Sequence, residues 1–138
     1  VTGSLKADKI DVFGQQVTLS DTAKLDASAI GGGGQIRVGG EYLGGDGTVP
    51  TAWRTEVAAG AQLSADAIET GDGGRVIVWA DDVTRFFGTI SARGGAQSGD
   101  GGFVEVSGKR YLLYKGFVDT RAPHGATGLL LLDPADII

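Results

Sequence analysis

The sequence of 138 residues contains no cysteine, no methionine and no asparagine. Without cysteine there is no disulfide framework, no thiolate metal site and no cysteine nucleophile. Because the first residue is Val1 and no methionine occurs anywhere, we expect the chain to be a processed product or a segment of a longer protein. Because asparagine is absent, turn positions that need a positive φ must be occupied by glycine or, less often, by aspartate.

Long apolar runs and an excess of positive charge are also missing. No apolar run approaches the ~20 residues that a membrane-spanning helix needs, so no membrane span is predicted. The net charge of −5 argues against binding to a phosphate backbone, so we expect no nucleic-acid partner. Glycine is abundant, with 25 residues. Since aliphatic residues remain plentiful as well, the sequence is not that of a disordered low-complexity tract.

Two short sequence units alternate along the chain. The first is a glycine followed by a four-residue strand pattern of alternating polarity. Its copies are Gln35–Val38, Arg75–Val78, Phe103–Val106 and Leu129–Leu132, with Gln16–Leu19 as an earlier copy that lacks the glycine. The second unit is a small residue, a variable residue, an aliphatic residue, then Asp or Ser, and Ala or Thr. Its copies are Ala23–Ala27, Ala61–Ala65, Gly88–Ala92 and Gly116–Thr120.

The recurrence of the same residue types at equivalent places favours stacked coils. A β-sandwich also has short strands, but it gives no reason for equivalent positions to repeat, whereas stacking places each side chain on its own counterpart. The sequence therefore predicts an all-β protein, a right-handed parallel β-helix of about five to six coils with one insertion. One predicted internal stack is Val17, Ile36, Val76, Val104 and Leu130. The other is Leu25, Leu63, Ile90 and Val118.

The 40-residue step from Ile36 to Val76 breaks the spacing and contains the glycine-rich segment 41–56. We expect this segment to be either an insertion loop or an extra coil. No capping helix is visible at either end, although a solenoid leaves unpaired strand edges there. We therefore interpret residues 1–138 as one β-helical segment of a longer protein, with end-to-end self-association as an alternative.

Four strings of this sequence resemble the large filamentous-haemagglutinin-like exoproteins, the secreted partners of two-partner secretion systems in Gram-negative bacteria. They are Gly73–Trp79, Gly88–Gly95, Gly99–Lys109 and Leu129–Ile137. The resemblance spans roughly residues 15–138 and matches the region downstream of the secretion domain of those proteins, a domain that this sequence does not show.

The resemblance implies a parallel β-helix that is secreted and displayed on the cell surface of a Gram-negative bacterium. It implies passage through the outer-membrane transporter of the two-partner system, by way of the missing secretion domain. It further implies adhesion to host cells, surfaces or biofilm matrix through glycans or proteins, without enzymatic activity. The alternatives from the residues themselves are a carbohydrate-binding or carbohydrate-cleaving β-helix and a self-stacking filament unit.

The candidate ligand contacts are Tyr42, Trp53 and Arg54, which lie in the insertion. Packing in the repeated core does not determine the residue types of an insertion, so these side chains are available for another role. Exposed aromatic side chains stack on sugars and serve at interfaces. The alternative is that Trp53 packs the loop onto the solenoid. Asp81, Asp82 and Arg85 form a second polar cluster. Asp81 and Asp82 are a poor pair of catalytic carboxylates, because adjacent strand residues point to opposite faces.

Three acidic turns are weak candidates for a metal site: Asp46, Asp72 and Asp100, each within a glycine-rich string. Ca²⁺ requires several oxygen ligands at once, and none of these strings fits the Ca²⁺-binding nonapeptide repeat of β-rolls. The alternative is that these aspartates are turn residues. We therefore expect no cofactor, with Ca²⁺ as the one alternative.

Overall fold

In a computed structural model that describes residues 1–138, the chain forms a parallel β-helix of five coils, as the sequence predicts. Each coil contributes one strand to each of three parallel sheets. Sheet A contains β1 (Ser4–Lys6), β4 (Lys24–Asp26), β7 (Gln62–Ser64), β10 (Thr89–Ser91) and β13 (Phe117–Asp119). Sheet B contains β2 (Lys9–Val12), β5 (Gln35–Val38), β8 (Arg75–Ala80), β11 (Phe103–Gly108) and β14 (Leu129–Leu131). Sheet C contains β3 (Gln16–Leu19), β6 (Arg54–Val57), β9 (Val83–Phe86), β12 (Tyr111–Tyr114) and β15 (Asp136–Ile137).

The only helical element is a short 3₁₀ turn at Tyr42–Gly44. Nothing in the structure is a helix long and apolar enough to cross a membrane.

The predicted stack in sheet A is confirmed. Leu25, Leu63, Ile90 and Val118 occupy equivalent register positions in successive strands. The first three of these side chains are fully buried, and Leu5 continues the stack into the first coil. Like-on-like packing of this kind gives equivalent positions of the second, third and fourth coils the same buried surroundings, which is why the sequence unit repeats.

The predicted stack in sheet B is wrong at its first member. Ile10, not Val17, pairs in register with Ile36, and the stack continues through Val76, Val104 and Leu130. Val17 lies in β3, which pairs with β6 in sheet C. Any strand with one buried face alternates in polarity, so the pattern of Gln16–Leu19 fits sheet B and sheet C equally well.

Sheet C is a third set of strands that the two sequence units do not reveal. Its inward stack begins with Val17 and includes Thr55, Thr84 and Leu112. The two threonines are buried, and their Oγ1 atoms donate hydrogen bonds to the backbone oxygens of Trp79 (2.7 Å) and Ser107 (2.8 Å). Each buried hydroxyl therefore has a partner, as burial of a polar group requires. A stack that mixes threonine with aliphatic residues is hard to detect as a repeat.

Glycines line the corner between sheets A and B, where backbones of successive coils meet. The N–H of Arg75 donates to the Gly34 oxygen (2.9 Å), and the N–H of Phe103 donates to the Gly74 oxygen (2.9 Å). A Cβ on Gly74 would collide with the Gly34 carbonyl. The corner therefore excludes any larger residue for steric reasons.

Residues 39–53, which we call the outer loop, connect β5 to β6 within the second coil. In the third and fourth coils the same connection is only Asp81–Asp82 and Lys109–Arg110. The loop turns back onto the outer face of sheet B and covers Trp79, which is only 4% exposed. Gly40 and Gly44 lie against the indole so closely that a Cβ on either would meet it at 2.8 Å. Because Arg54–Glu56 form part of β6, the loop ends at Trp53.

Candidate functional site

A network of ion pairs fixes the base of the outer loop to sheet B. Arg37 donates to Asp11 through Nε (2.8 Å) and Nη2 (2.9 Å), and through Nη1 to Glu41 (2.9 Å). Arg75 and the N–H of Tyr42 also donate to Glu41. Although burial raises the pKa of Glu41, the hydrogen bonds from Arg75, Tyr42 and Arg37 outweigh it and lower that pKa to about 2. Glu41 is therefore a charged anchor over the whole physiological pH range.

Further along the loop, Leu43 has φ 52°, in the left-handed region that non-glycine residues rarely occupy. Its N–H donates to Oε1 of Glu105 (2.9 Å), which lies on the outer face of sheet B beneath the loop. Glu105 is fully buried, and its Oε2 has no hydrogen-bond partner. Burial raises the pKa of Glu105; hydrogen bonds from Leu43 and Ser107 and the charge of Arg75 oppose this rise, and Asp133 adds to it.

Glu105→Gln is expected to stabilise the protein relative to the parent by an amount that grows with pH. A carboxyl whose pKa is higher in the folded state contributes fully below its unfolded pKa of ~4.3 and loses that contribution as pH rises through the folded value. Urea unfolding of both proteins from pH 4 to pH 8 measures the difference. Glu41→Gln is the control, and its change in stability is expected to have the opposite sign. The pKa of Glu41 is lowered in the folded state, so its carboxylate stabilises the protein above the unfolded pKa and the substitution removes that stabilisation. A Glu105→Gln difference that stays constant with pH would contradict the assignment.

Tyr42, the first candidate ligand contact, lies over sheet B. It begins the 3₁₀ turn, is 43% exposed and contacts Phe103 edge-to-face, with ring centroids 5.7 Å apart. Its position belongs to the covering of sheet B rather than to the surface that carries the other two candidates.

Trp53 and Arg54 lie together at the edge of sheet C. Trp53 is 50% exposed, so it is not the residue that packs the loop down; Trp79 has that role. The backbone of Trp53 is fixed on both sides, because its N–H donates to the Gln15 oxygen (2.6 Å) and its oxygen accepts from the N–H of Asp82 (2.9 Å). Trp53 thus presents a half-exposed indole from a fixed backbone position next to a sheet face.

The outer face of sheet C carries three arginines, Arg54, Arg85 and Arg110, and three carboxylates, Glu56, Asp82 and Asp136. Arg54 and Arg110 flank Asp82, with nitrogen–oxygen distances of 3.5 and 3.3 Å, and Arg85 lies 3.8 Å from Glu56. Asp82 is nearly buried, whereas the arginine side chains are 61% (Arg54), 59% (Arg110) and 53% (Arg85) exposed. Two open depressions of about 280 and 380 Å³ border this face and share one lining residue, Gln16.

Sequence reasoning missed Arg110 and considered Arg85 only as a member of the polar cluster with Asp81 and Asp82. Both arginines lie outside the insertion, which was the feature of the sequence that indicated Trp53 and Arg54. The available signal is the register: Arg110 occupies the position of Asp82 one coil later, immediately before β12. Because sheet C itself escaped detection, this register could not be assigned.

The two adjacent carboxylates of the Asp81–Asp82 turn face different partners. Asp81 accepts hydrogen bonds from Nε1 of Trp79 (3.0 Å) and Oγ1 of Thr51 (2.7 Å), on the side of the outer loop. Asp82 instead faces the arginines of sheet C. The pair therefore does not converge on one substrate position, as general acid–base catalysis would require.

Asp46 bonds within its own loop, whereas Asp72 and Asp100 lie in turns of successive coils that stack on one another. Asp46 in the outer loop accepts from the N–H and Oγ1 of Thr48, and the hydrogen bond from that hydroxyl lowers its pKa. Asp72 accepts from the N–H of Asp100 (2.8 Å), and Asp100 from the N–H of Ala126 (2.9 Å), one coil further on. No group of three or more His, Cys, Asp or Glu side chains lies close enough to hold a metal ion.

A scan against protein-family models gives no match to the chain, and a search of curated proteins finds no significant similarity. The arguments about function below therefore rest on the fold, on the outer face of sheet C and on the covered face of sheet B.

Proposed function

We propose that this chain is a structural and adhesive β-helical segment of a bacterial secreted cell-surface exoprotein, mediating adhesion to host cells, surfaces or biofilm matrix. The observation that carries the proposal is the half-exposed indole of Trp53 beside Arg54 on a rigid sheet. Because the backbone of Trp53 is fixed and its side chain has only two torsions to order, the indole offers contact area at a low cost in conformational entropy. The resemblance to filamentous-haemagglutinin-like exoproteins supports the same proposal.

In this proposal the β-helix acts mechanically. In-register backbone ladders and stacked aliphatic side chains make a stiff column that holds its surface groups at fixed spacing. Export through the outer-membrane transporter of a two-partner system, and attachment to the cell surface, belong to the longer protein in which this segment would stand. The segment needs no catalytic group for this role.

The test is retention of the purified chain on immobilised polysaccharides and extracellular-matrix proteins, with release of soluble sugar products measured in parallel. We expect retention without product release. Trp53→Ala is expected to abolish retention, whereas Trp53→Phe, which keeps an aromatic face, is expected to preserve much of it. Absence of retention on every surface would contradict the adhesive role, and product release would show an enzyme instead.

A second candidate is a carbohydrate-binding or carbohydrate-cleaving β-helix that acts independently of adhesion. The observation in its favour is that arginines and carboxylates share the outer face of sheet C. Cleavage of a glycosidic bond requires two carboxyl groups placed on either side of that bond. Since Asp82 and Glu56 are both occupied by arginines, the face favours binding over cleavage.

A further inference from the structure

The connections from sheet B to sheet C meet at one corner of the column in the first three coils. They are residues 13–15 in the first coil, the outer loop in the second and Asp81–Asp82 in the third. The N–H of Trp53 donates to the Gln15 oxygen (2.6 Å) and joins the second coil to the first. The N–H of Asp81 donates to the Ala52 oxygen (2.7 Å) and joins the third coil to the second. The backbones of the three connections are therefore fixed relative to one another.

An open depression of about 380 Å³ lies at this corner, and all three coils line it. The lining residues are Gln15 and Gln16 from the first coil, Thr51 and Trp53 from the second and Asp81 from the third. The volume is within the range of small-ligand sites, ~300–1,000 Å³. Because no lysine or arginine lines the depression, it offers no charged partner to an anionic ligand.

Asp81 is the polar anchor of the depression. Its carboxylate oxygens accept one hydrogen bond each, from Nε1 of Trp79 (3.0 Å) and from Oγ1 of Thr51 (2.7 Å). These donors orient the carboxylate, and each oxygen keeps a free lone pair because a carboxylate has about four acceptor positions. The carboxylate can therefore accept hydrogen bonds from two neighbouring hydroxyl groups of a ligand, and such bonds to a charged acceptor are stronger than neutral ones.

Gln15, Gln16 and Trp53 supply the other contacts that a sugar needs. Both glutamines are exposed, and each side-chain amide carries two N–H donors and an acceptor oxygen. A sugar hydroxyl both donates and accepts, so amides complement it. The half-exposed indole of Trp53 adds an aromatic face on which the apolar face of a sugar ring can stack.

A quaternary ammonium group is the alternative ligand, because it could also use an indole and a carboxylate. Recognition of such a cation relies on a cage of aromatic rings, and Trp53 is the only aromatic residue in the lining. The N–H donors of Gln15 and Gln16 would find no acceptor on an alkylated ammonium. The lining therefore favours an uncharged ligand rich in hydroxyl groups.

We propose that this depression binds an uncharged sugar residue of a glycan. Asp81 and the two glutamine amides form hydrogen bonds with its hydroxyl groups, and Trp53 stacks on its ring. This assignment rests on the proposed adhesive function and names the ligand class and the site through which it would act.

The probes are the methyl glycosides of glucose, galactose, mannose and N-acetylglucosamine. Binding is measured by saturation-transfer NMR and by titration of the indole N–H resonance of Trp53, which Trp53→Phe assigns. At least one glycoside is expected to bind and shift this resonance, with the same affinity at low and at physiological salt because the ligand is uncharged. Gln15→Ala/Gln16→Ala, which keeps the backbone groups that hold Trp53, is expected to bind about tenfold more weakly, equivalent to ~1.4 kcal/mol.

Gln62→Ala/Gln97→Ala is the matched control, because it removes the same side chains at two exposed positions outside the depression. Unchanged affinity in this control, together with loss in the Gln15/Gln16 variant, supports the assignment. Equal affinity or equal loss in the two double variants would overturn it. Binding of glucuronate or tetramethylammonium as tight as that of the best glycoside would overturn it as well.

The failures of the two proposals are distinguishable. If a surface retains the chain but no glycoside binds, the sugar site is wrong while the adhesive function stands. If a glycoside binds in the depression but no surface retains the chain, the site stands and the adhesive function is wrong. If the chain neither binds a glycoside nor is retained on any surface, both proposals fail.

Discussion

Gly33→Ala is expected to lower the free energy of unfolding by about 3 kcal/mol or more, since overpacking against backbone cannot relax by rotation of a side chain. A Cβ at Gly33 would overlap the carbonyl group of Ala65 and the backbone nitrogen of Gly74, both in the next coil. To accommodate the methyl group, the second and third coils would have to separate at their corner, which breaks the backbone hydrogen bonds between them. Urea unfolding followed by circular dichroism measures the loss.

Gly31→Ala is the matched control for this prediction. Gly31 belongs to the same run of four glycines, yet a Cβ there would meet no atom within 4 Å. Its substitution is expected to change stability by no more than about 0.5 kcal/mol, as is usual for surface sites. Similar losses for Gly31→Ala and Gly33→Ala would show that glycine is needed for flexibility of the run rather than for space between coils.

Trp79→Ala is expected to cost about 3–5 kcal/mol, the range measured for removal of large buried aromatic side chains. The indole supports Gly40 and Gly44 of the outer loop, and its Nε1 donates to Asp81 (3.0 Å). Its loss would remove the packing partner of the loop and leave a carboxylate with one fewer donor. Thermal unfolding gives the loss of stability, and hydrogen exchange at the amide of Leu43 reports whether the loop has detached.

Trp53→Ala provides the comparison, because it removes the same side chain at a half-exposed site. We expect a stability loss well below that of Trp79→Ala, since much of the indole surface of Trp53 is already in water. If the two substitutions proved equally destabilising, Trp53 would have a packing role and its assignment to ligand contact would be wrong.

The sequence predicts the coil architecture because stacking repeats the same environment. Leu25, Leu63 and Ile90 face identical neighbours, so selection for one aliphatic side chain recurs in each coil. The third sheet was not predicted, because its inward stack contains Thr55 and Thr84. Their burial depends on hydrogen bonds to backbone carbonyls of the neighbouring sheet, and such long-range partners have no signature in local polarity.

The candidate site could be predicted only in part. The insertion drew attention to Trp53 and Arg54, and the structure places both beside sheet C. Arg110 depends on a register that only the assembled coils define. The burial of Glu105 could not be predicted for a different reason. In an alternating strand Glu105 occupies a normal outward position, and it is buried only by a loop that leaves the column two coils earlier.

The outer loop also changes how the column should unfold. In a solenoid each repeat normally contacts only the repeats on either side, so stability is a sum of local terms and the ends fray independently. Here the loop leaves the second coil, binds Arg75 of the third through Glu41, and reaches Glu105 of the fourth through Leu43. It therefore couples coils that do not otherwise touch. The middle three coils should consequently open as one cooperative unit, while the first and the last coils fray separately.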